Sequence, residues 1–211
     1  MSGRRRSDVL AKVYAATSDA ELAAAYGSWS SEYDRDTASW GYCLPFIIAG
    51  FVARYVPCGS APLLDAGCGT GLSGPYMRAL GYGEIEGLDF SEAMLSFARQ
   101  RGAYTRLVRA TLGTALPWAH DTFAAVFSAG VFTKGQAPAS SLDELVRITR
   151  PGGHAIFTVR DVVLESGGFL RKFEELEQAK RWRQLEESPP FRAFAVDEPD
   201  VLVKAFAFEV Q

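Results

Sequence analysis

Asp65, Gly67, Gly69, Gly71 and Asp89 are the residues whose types and spacing point most directly to chemistry. Most of them stand in "LLDAGCGTGLSG" (Leu63 to Gly74), and Asp89 ends "EIEGLD" twenty residues after Gly69. Glycines at such positions let the backbone turn tightly and let a ligand approach it closely. Gly69-x-Gly71-x-x-Gly74 satisfies the dinucleotide fingerprint, while Gly67-x-Gly69-x-Gly71 satisfies a different glycine pattern. A carboxylate at Asp89 can accept from the hydroxyls of a ribose, which dinucleotides and other nucleoside cofactors share. The glycines and their spacing to Asp89 therefore leave two ligands open, a pyrophosphate or a group carrying positive charge. Asp65, just ahead of the turn, separates them. A buried carboxylate beside a pyrophosphate places like charges together in a low dielectric, whereas beside an α-ammonium group it is favourable. S-adenosylmethionine carries an ammonium, a sulfonium and a ribose and no phosphate, so the charge pattern prefers it.

The surrounding pattern supplies the elements that must hold these residues. "PLLDA" reads as a short buried strand, "SGPYMRAL" as a helix, "EIEGLDF" as a second strand and "SEAMLSFARQRG" as a helix capped by Ser91 and closed by Gly102. "YTRLVRATL" and "DTFAAVFSAG" hold a third and a fourth strand. "SLDELVRITRPGG" reads as a helix stopped by Pro151-Gly152-Gly153, and "HAIFTVRD" as a fifth strand. This alternation predicts a doubly wound α/β fold with a parallel sheet and helices on both faces. "FLRKFEELEQAKRWRQLEE" reads as one long amphipathic helix, with "FRAFAV" and "VLVKAFAFEV" as a closing pair of strands. Upstream, "SDVLAKVYAA" and "DAELAAAYGSW" read as short helices capped by Ser7 and Asp19. "SSEYDRDTASWGY" reads as an aromatic loop, and "LPFIIAGFVARYV" as a buried helix with Pro45 in its first turn. Residues 1–56 are thus expected to form a helical cap and residues 57–211 the cofactor-binding domain, in one compact unit.

Bulk properties narrow the function. Of 211 residues, 48% are hydrophobic and 22% charged, as in an ordinary globular chain. A net charge of -3 argues against a nucleic-acid partner, and Arg4 to Arg6 read as a solvated end. Three scattered cysteines and two histidines give neither a disulfide framework nor a zinc site, so no metal is expected. No apolar run reaches the length of a bilayer span, and a cytoplasmic protein with reduced thiols is expected. The oligomeric state, monomer or homodimer, stays open.

"LLDAGCGTGLSG" resembles motif I of the class I S-adenosylmethionine-dependent methyltransferases, and "EIEGLDFSEAMLSFAR" resembles their second motif. "LPWAHDTFAAVFSAGVF" and "ELVRITRPGGHAIFTVRD" resemble the segments around their fourth and fifth strands. "YGSWSSEYDRDTASWGY" is similar to the lead-in of the Williams–Beuren-region methyltransferase-like proteins. The resemblance implies a Rossmann-like sheet of seven strands, mostly parallel, with the last antiparallel. It implies S-adenosylmethionine as cofactor and S-adenosylhomocysteine as product. Gly67, Cys68, Gly69 and Gly71 would border the methionine moiety, with Asp65 near its ammonium. Asp89 would meet the ribose, with Phe90 and Ser91 beside the adenosine and Thr111 and Leu112 flanking adenine. Many relatives carry an acidic residue where Leu112 stands, so here the ring is expected on apolar surface and backbone groups. Ser128 and Gly130 would line the passage to the acceptor.

Bland roles compete with several of these. Asp65 could cap its turn and Asp89 its helix, although Ser91 already offers a cap there. Cys68 reads as a small packing residue. Tyr33 either covers the sulfonium, a cation–π contact worth about 0.5–2 kcal/mol, or packs the cap onto the sheet. Lys134, Arg160 and Asp161 follow the fourth and fifth strands, where substrate usually sits, and are the remaining catalytic candidates. No histidine–carboxylate pair names a general base. The reaction expected is methyl transfer to a small-molecule acceptor, and Trp29, Trp40, Tyr42, Phe132 and Phe169 suggest an aromatic or apolar one. Two other readings compete. One is a non-catalytic module that keeps the fold; the other is a nicotinamide-dependent oxidoreductase.

Overall fold

The computed structural model describes residues 12–13, 15–16 and 19–211. Seven helices are described: α1 (Asp19–Ser39), α2 (Leu44–Tyr55), α3 (Gly74–Ala79), α4 (Glu92–Gln100), α5 (Ser141–Ile148), α6 (Asp161–Leu164) and α7 (Phe169–Gln178). The strands are β1 (Leu63–Ala66), β2 (Ile85–Asp89), β3 (Arg106–Arg109), β4 (Phe123–Phe132), β5 (Thr149–Arg160), β6 (Trp182–Glu187), β7 (Phe191–Arg192) and β8 (Leu202–Val210). The sheet runs β3-β2-β1-β4-β5-β8-β6, with the two-residue β7 also paired to β8. β1 to β5 pair in parallel, and β8 is antiparallel to β5, β6 and β7. The expected seven-stranded sheet with its last strand reversed is present, and β7 is an addition to it.

Strand periodicity builds two cores. Leu64, Val126, Phe157 and Phe208 point to one face with Leu142 and Leu145 of α5 and Phe173 of α7. Their chain neighbours Leu63, Phe127, Ile156 and Ala207 point to the other, with Ile48 and Val52 of α2 and Met77 of α3. Central strands buried on both faces are largely apolar, and β1 is buried at all four positions with Asp65 as its one charged residue. A third cluster joins Leu22 and Trp29 of α1 to Trp40, Leu44, Phe194 and Val203, so α1 packs on the C-terminal hairpin.

Three expectations are corrected. "SSEYDRDTASW" is no loop: α1 runs unbroken through Ser39. Its hydroxyls bond back along the helix, Ser30 to the Gly27 carbonyl and Thr37 to that of Tyr33 at 2.7 Å, so they do not compete with it. Leu22, Tyr26, Trp29 and Tyr33 recur at helical spacing toward the sheet. The long C-terminal helix is also wrong. It ends at Gln178, Lys180 takes a left-handed φ of 52°, and Trp182 opens β6. Trp182 stacks on Phe208 with ring centroids 3.9 Å apart, a burial that outweighs helix propensity. Pro151-Gly152-Gly153 does not stop α5, which ends at Ile148. The triplet lies within β5 as a bulge, where pairing jumps from Phe123–Thr149 to Ala125–His154. The expected helix around Ser7 and the arginines at 4–6 lie outside the described residues, apart from a few positions of that helix.

Candidate cofactor and acceptor site

The glycine turn is held from both sides. The amides of Gly67 and Cys68 donate to the Leu88 carbonyl at the end of β2, each at 2.8 Å. Asp89 accepts from the Gly69 amide through Oδ2 and from the Ser91 amide through Oδ1, both at 2.9 Å. Ser91 Oγ in turn caps α4 by accepting from the Met94 amide. Gly67 and Gly69 have φ of +81° and +55°, where other side chains are strained. A Cβ on Gly67 would meet Val131 Cγ2 at 2.3 Å, whereas one on Gly69 would meet no protein atom within 4 Å. Gly67 is needed for packing, and Gly69 keeps open space clear.

Asp65 and Asp89 are both buried. Burial pushes the Asp65 carboxyl up to about 7 against the pull of a 2.7 Å bond from the Tyr104 hydroxyl, and the nearby Asp89 charge adds to the rise. Burial raises Asp89 to about 6, held back by backbone amides of Ser91, Gly69 and Phe90. The Cys68 thiol is pushed well up by burial, which leaves it an inert packing group.

Three hollows meet here. The largest, about 310 Å³, is lined by Gly67, Gly69, Asp89, Phe90, Thr111, Leu112 and Gly130 of the expected residues. A small one of about 40 Å³ holds Asp65 and Cys68, again with Gly67 and Gly69. A third, about 60 Å³, has Arg160, Trp29, Tyr42 and Phe132 on its wall. Tyr33 lines all three. Its ring also packs on Trp29 at 4.7 Å.

Other expected residues fall elsewhere. Ser91 lines none of the three hollows. Gly71 lines none of them either, and a Cβ there would meet Tyr104 Cε2 at 2.9 Å. Ser128 is buried and donates to the Ala66 carbonyl at 2.6 Å. Lys134 is exposed, and Asp161 accepts from the Val162 amide at the start of α6; neither lines these hollows. Trp40 is buried in the cluster that joins α1 to Phe194 and Val203, and Phe169 packs on Phe132. Sequence reasoning missed Leu22, Tyr26, Met94, Gln136 and Pro138 on the large hollow. The helical spacing of 22, 26 and 33 was its available signal. It also missed a clasp between α1 and the turn. Thr70 Oγ1 donates to Asp34 Oδ1 at 2.6 Å, Arg101 Nε donates to the Thr70 carbonyl at 2.6 Å, and Arg101 pairs with Asp34.

Residues 64–157 match the methyltransferase domain family. Over 190 residues the chain is 35% identical to methyltransferase-like protein 27 of Homo sapiens, covering 84% of this chain and 76% of that protein. The chain belongs to the class I S-adenosylmethionine-dependent methyltransferases. It is also 30% identical over 174 residues to the malonyl-[acyl-carrier protein] O-methyltransferase of Erwinia pyrifoliae, covering 82% of this chain and 60% of that one. A demethylmenaquinone methyltransferase of Clavibacter sepedonicus is 31% identical over 140 residues, covering 64% and 56%. Among solved structures, a TehB-like S-adenosylmethionine-dependent methyltransferase from Corynebacterium glutamicum shares the fold with a TM-score of 0.62. Its identity is 19%, with coverage of 89% of this chain and 99% of that one. Family membership removes the nicotinamide reading. The methyltransferase cofactor, S-adenosylmethionine, is compatible with the residues present: open space beyond Gly69, the buried carboxylate of Asp89 on the large hollow, and that of Asp65 on the small one. No described helix is long and apolar enough to cross a membrane.

Proposed function

We propose that this methyltransferase transfers the methyl group of S-adenosylmethionine to a small-molecule acceptor held under the N-terminal cap. The observation that carries the reading is the meeting of three hollows at Tyr33. A hollow of about 310 Å³ suits a nucleoside, with Asp89 accepting from the ribose hydroxyls and Phe90, Thr111 and Leu112 around the base. Asp65 in the small hollow suits the ammonium of the methionine moiety. When bound, S-adenosylmethionine supplies an electrophilic methyl group on a sulfonium. The chain's part is to align the acceptor against that methyl and to exclude water, which α1, clasped to the glycine turn through Asp34, serves. Relatives named for malonyl-[acyl-carrier protein] and demethylmenaquinone support an acceptor of small or carrier-bound kind.

Calorimetry with S-adenosylmethionine and S-adenosylhomocysteine is the direct test, followed by methyl transfer from tritiated donor to a broad panel of small acceptors. Binding of neither compound refutes the reading. Binding without transfer to any acceptor supports a non-catalytic module instead.

A further inference from the structure

Aromatic and aliphatic side chains make most of the wall of the hollow of about 60 Å³, and hydrogen-bonding groups on that wall are left partly unused. Thr158, on β5 and 1% exposed, accepts from the Gly130 amide at 2.9 Å. Its own O–H donates to no group among the described residues. Thr133 Oγ1, just past the end of β4, is out of reach of solvent and has no partner. Gln136 donates its side-chain nitrogen to the Tyr26 hydroxyl at 2.8 Å, and its Oε1 receives no donor among the described residues. Thr133, Gln136 and Thr158 all line this hollow.

A buried polar group without a partner costs free energy, so each of these groups calls for a ligand atom of matching sense. Thr158 already accepts from Gly130, so what it still offers is a donor. Gln136 Oε1 can only accept. A ligand that meets both must accept from one and donate to the other. A hydroxyl does so with a single oxygen, and Thr133 can serve it in either sense. A carbonyl oxygen only accepts and leaves Gln136 unmet. An ammonium group only donates and leaves Thr158 unmet. Position agrees with this chemistry. Gly130, which Thr158 holds, and Gln136 also line the cofactor hollow, so these groups stand where the two hollows join.

We propose that this hollow recognises the acceptor by a neutral hydroxyl group, which accepts from Thr158 and donates to Gln136 Oε1, a proposal that rests on the methyl-transfer reading above. Trp29, Phe132 and Phe194 on the same wall suit a hydrocarbon body around that hydroxyl. The acceptor class is therefore an alcohol with an apolar body. Thr158 and Gln136 determine specificity: they hold and orient the hydroxyl beside the cofactor hollow. An acceptor that lacks the hydroxyl leaves one of them buried and unmet, and that penalty is what discriminates against it.

The test reads binding. Full-length protein saturated with S-adenosylhomocysteine is titrated with cyclopentanol, cyclopentanone, cyclopentylamine and cyclopentanecarboxylate, which carry different head groups on one ring. Ligand-observed NMR gives each dissociation constant. Cyclopentanol should bind roughly tenfold more tightly than the others. Thr158→Val keeps the shape and removes the hydroxyl, and it should erase the preference over the amine. Thr158→Ser should restore it. Affinity for S-adenosylhomocysteine should stay unchanged in both Thr158 variants, because Thr158 does not line the cofactor hollow. Gln136→Met, at a half-buried position, is an independent readout that does not depend on Thr158→Val folding: it should bring cyclopentanol level with cyclopentanone. Equal binding of cyclopentanol and cyclopentanone to the parent, tighter binding of the amine or the carboxylate, a preference that survives Thr158→Val or Gln136→Met, or no saturable binding of cyclopentanol overturns the proposal. A parent protein that fails to bind S-adenosylhomocysteine gives a different result: it overturns the methyl-transfer reading itself, and this proposal with it.

Discussion

Replacing Tyr104 with Phe isolates one hydroxyl and tests what Asp65 is for. The Tyr104 ring lies in a slot made by glycines. A Cβ on Gly74 would meet its Cε2 at 2.8 Å, one on Gly71 the same atom at 2.9 Å, and one on Gly87 its Cδ1 at 3.1 Å. The third glycine of the fingerprint thus makes room for a side chain of this protein. The slot aims the hydroxyl at Asp65 Oδ2, 2.7 Å away. A hydrogen bond to an ionised group is worth about 1.5–3 kcal/mol. At about 1.4 kcal/mol per pH unit, its loss raises the Asp65 carboxyl by roughly 1–2 units from its value of about 7. At pH 7.5 the ionised fraction of Asp65 then falls from roughly three quarters to roughly a tenth, if the shift is about 1.5 units. Relative to the parent at the same pH, cofactor affinity should be about eightfold lower at pH 7.5 and almost equal at pH 9.5, a ratio in which the titration of the cofactor's own ammonium cancels. Calorimetric titration with S-adenosylmethionine across that range reads the effect, and Phe keeps the ring in its slot. A loss of the same size at every pH would show that Tyr104 only packs. No loss at any pH would show that Asp65 does not meet a cation.

Asp89→Ala should lower cofactor affinity roughly a hundredfold with the fold kept by circular dichroism, and unchanged affinity would remove the ribose assignment. Asp65 and Asp89 are raised from 3.8 to about 7 and about 6, so they favour the free folded protein at low pH, and that contribution is lost as pH climbs from 3.8 through 7. A ligand that needs both ionised binds more tightly as pH rises. The gain in melting temperature on adding S-adenosylhomocysteine should therefore grow from pH 5 to pH 8, and a flat gain would contradict the assignment. Gly67→Ala should cost roughly 1–3 kcal/mol in chemical denaturation, through its clash with Val131 and its positive φ. Gly69→Ala should cost less and yet lose most cofactor binding, because only ligand space is filled; the opposite ranking would refute the division of labour between them. Asp34→Ala should cost under about 1 kcal/mol of stability, the pair with Arg101 being partly exposed, while faster amide exchange in α1 reports the released cap. Exchange unchanged from the parent would mean that the clasp holds nothing.

The glycine turn, its two acids and the alternation of β1 to β5 with α3, α4 and α5 were legible because their causes are local. A positive φ demands glycine within the same few residues, a cap sits one residue from its helix, and a buried parallel strand shows as an apolar run. The charge argument at Asp65 was likewise chemical and needed no partner. Ser91 was read as a cap and is one, whereas Ser128 and Gly71, expected beside the cofactor, line none of the three hollows.

By itself the sequence determined the fold class, the family and the acids of the turn, since neighbours along the chain set those features. Only the tertiary structure decided which aromatic residues face ligand space and which fill a core. It showed that α1 is one helix clasped to the turn through Asp34 and Arg101, 67 positions apart. It moved Trp182 into an edge strand, because Phe173 and Phe208 bury it there. It brought Tyr104 to Asp65, and Arg160 to the wall of one hollow with Trp29 and Tyr42. These juxtapositions join segments far apart in the chain, and the energy that selects them is burial against remote partners, which no local pattern of residues records.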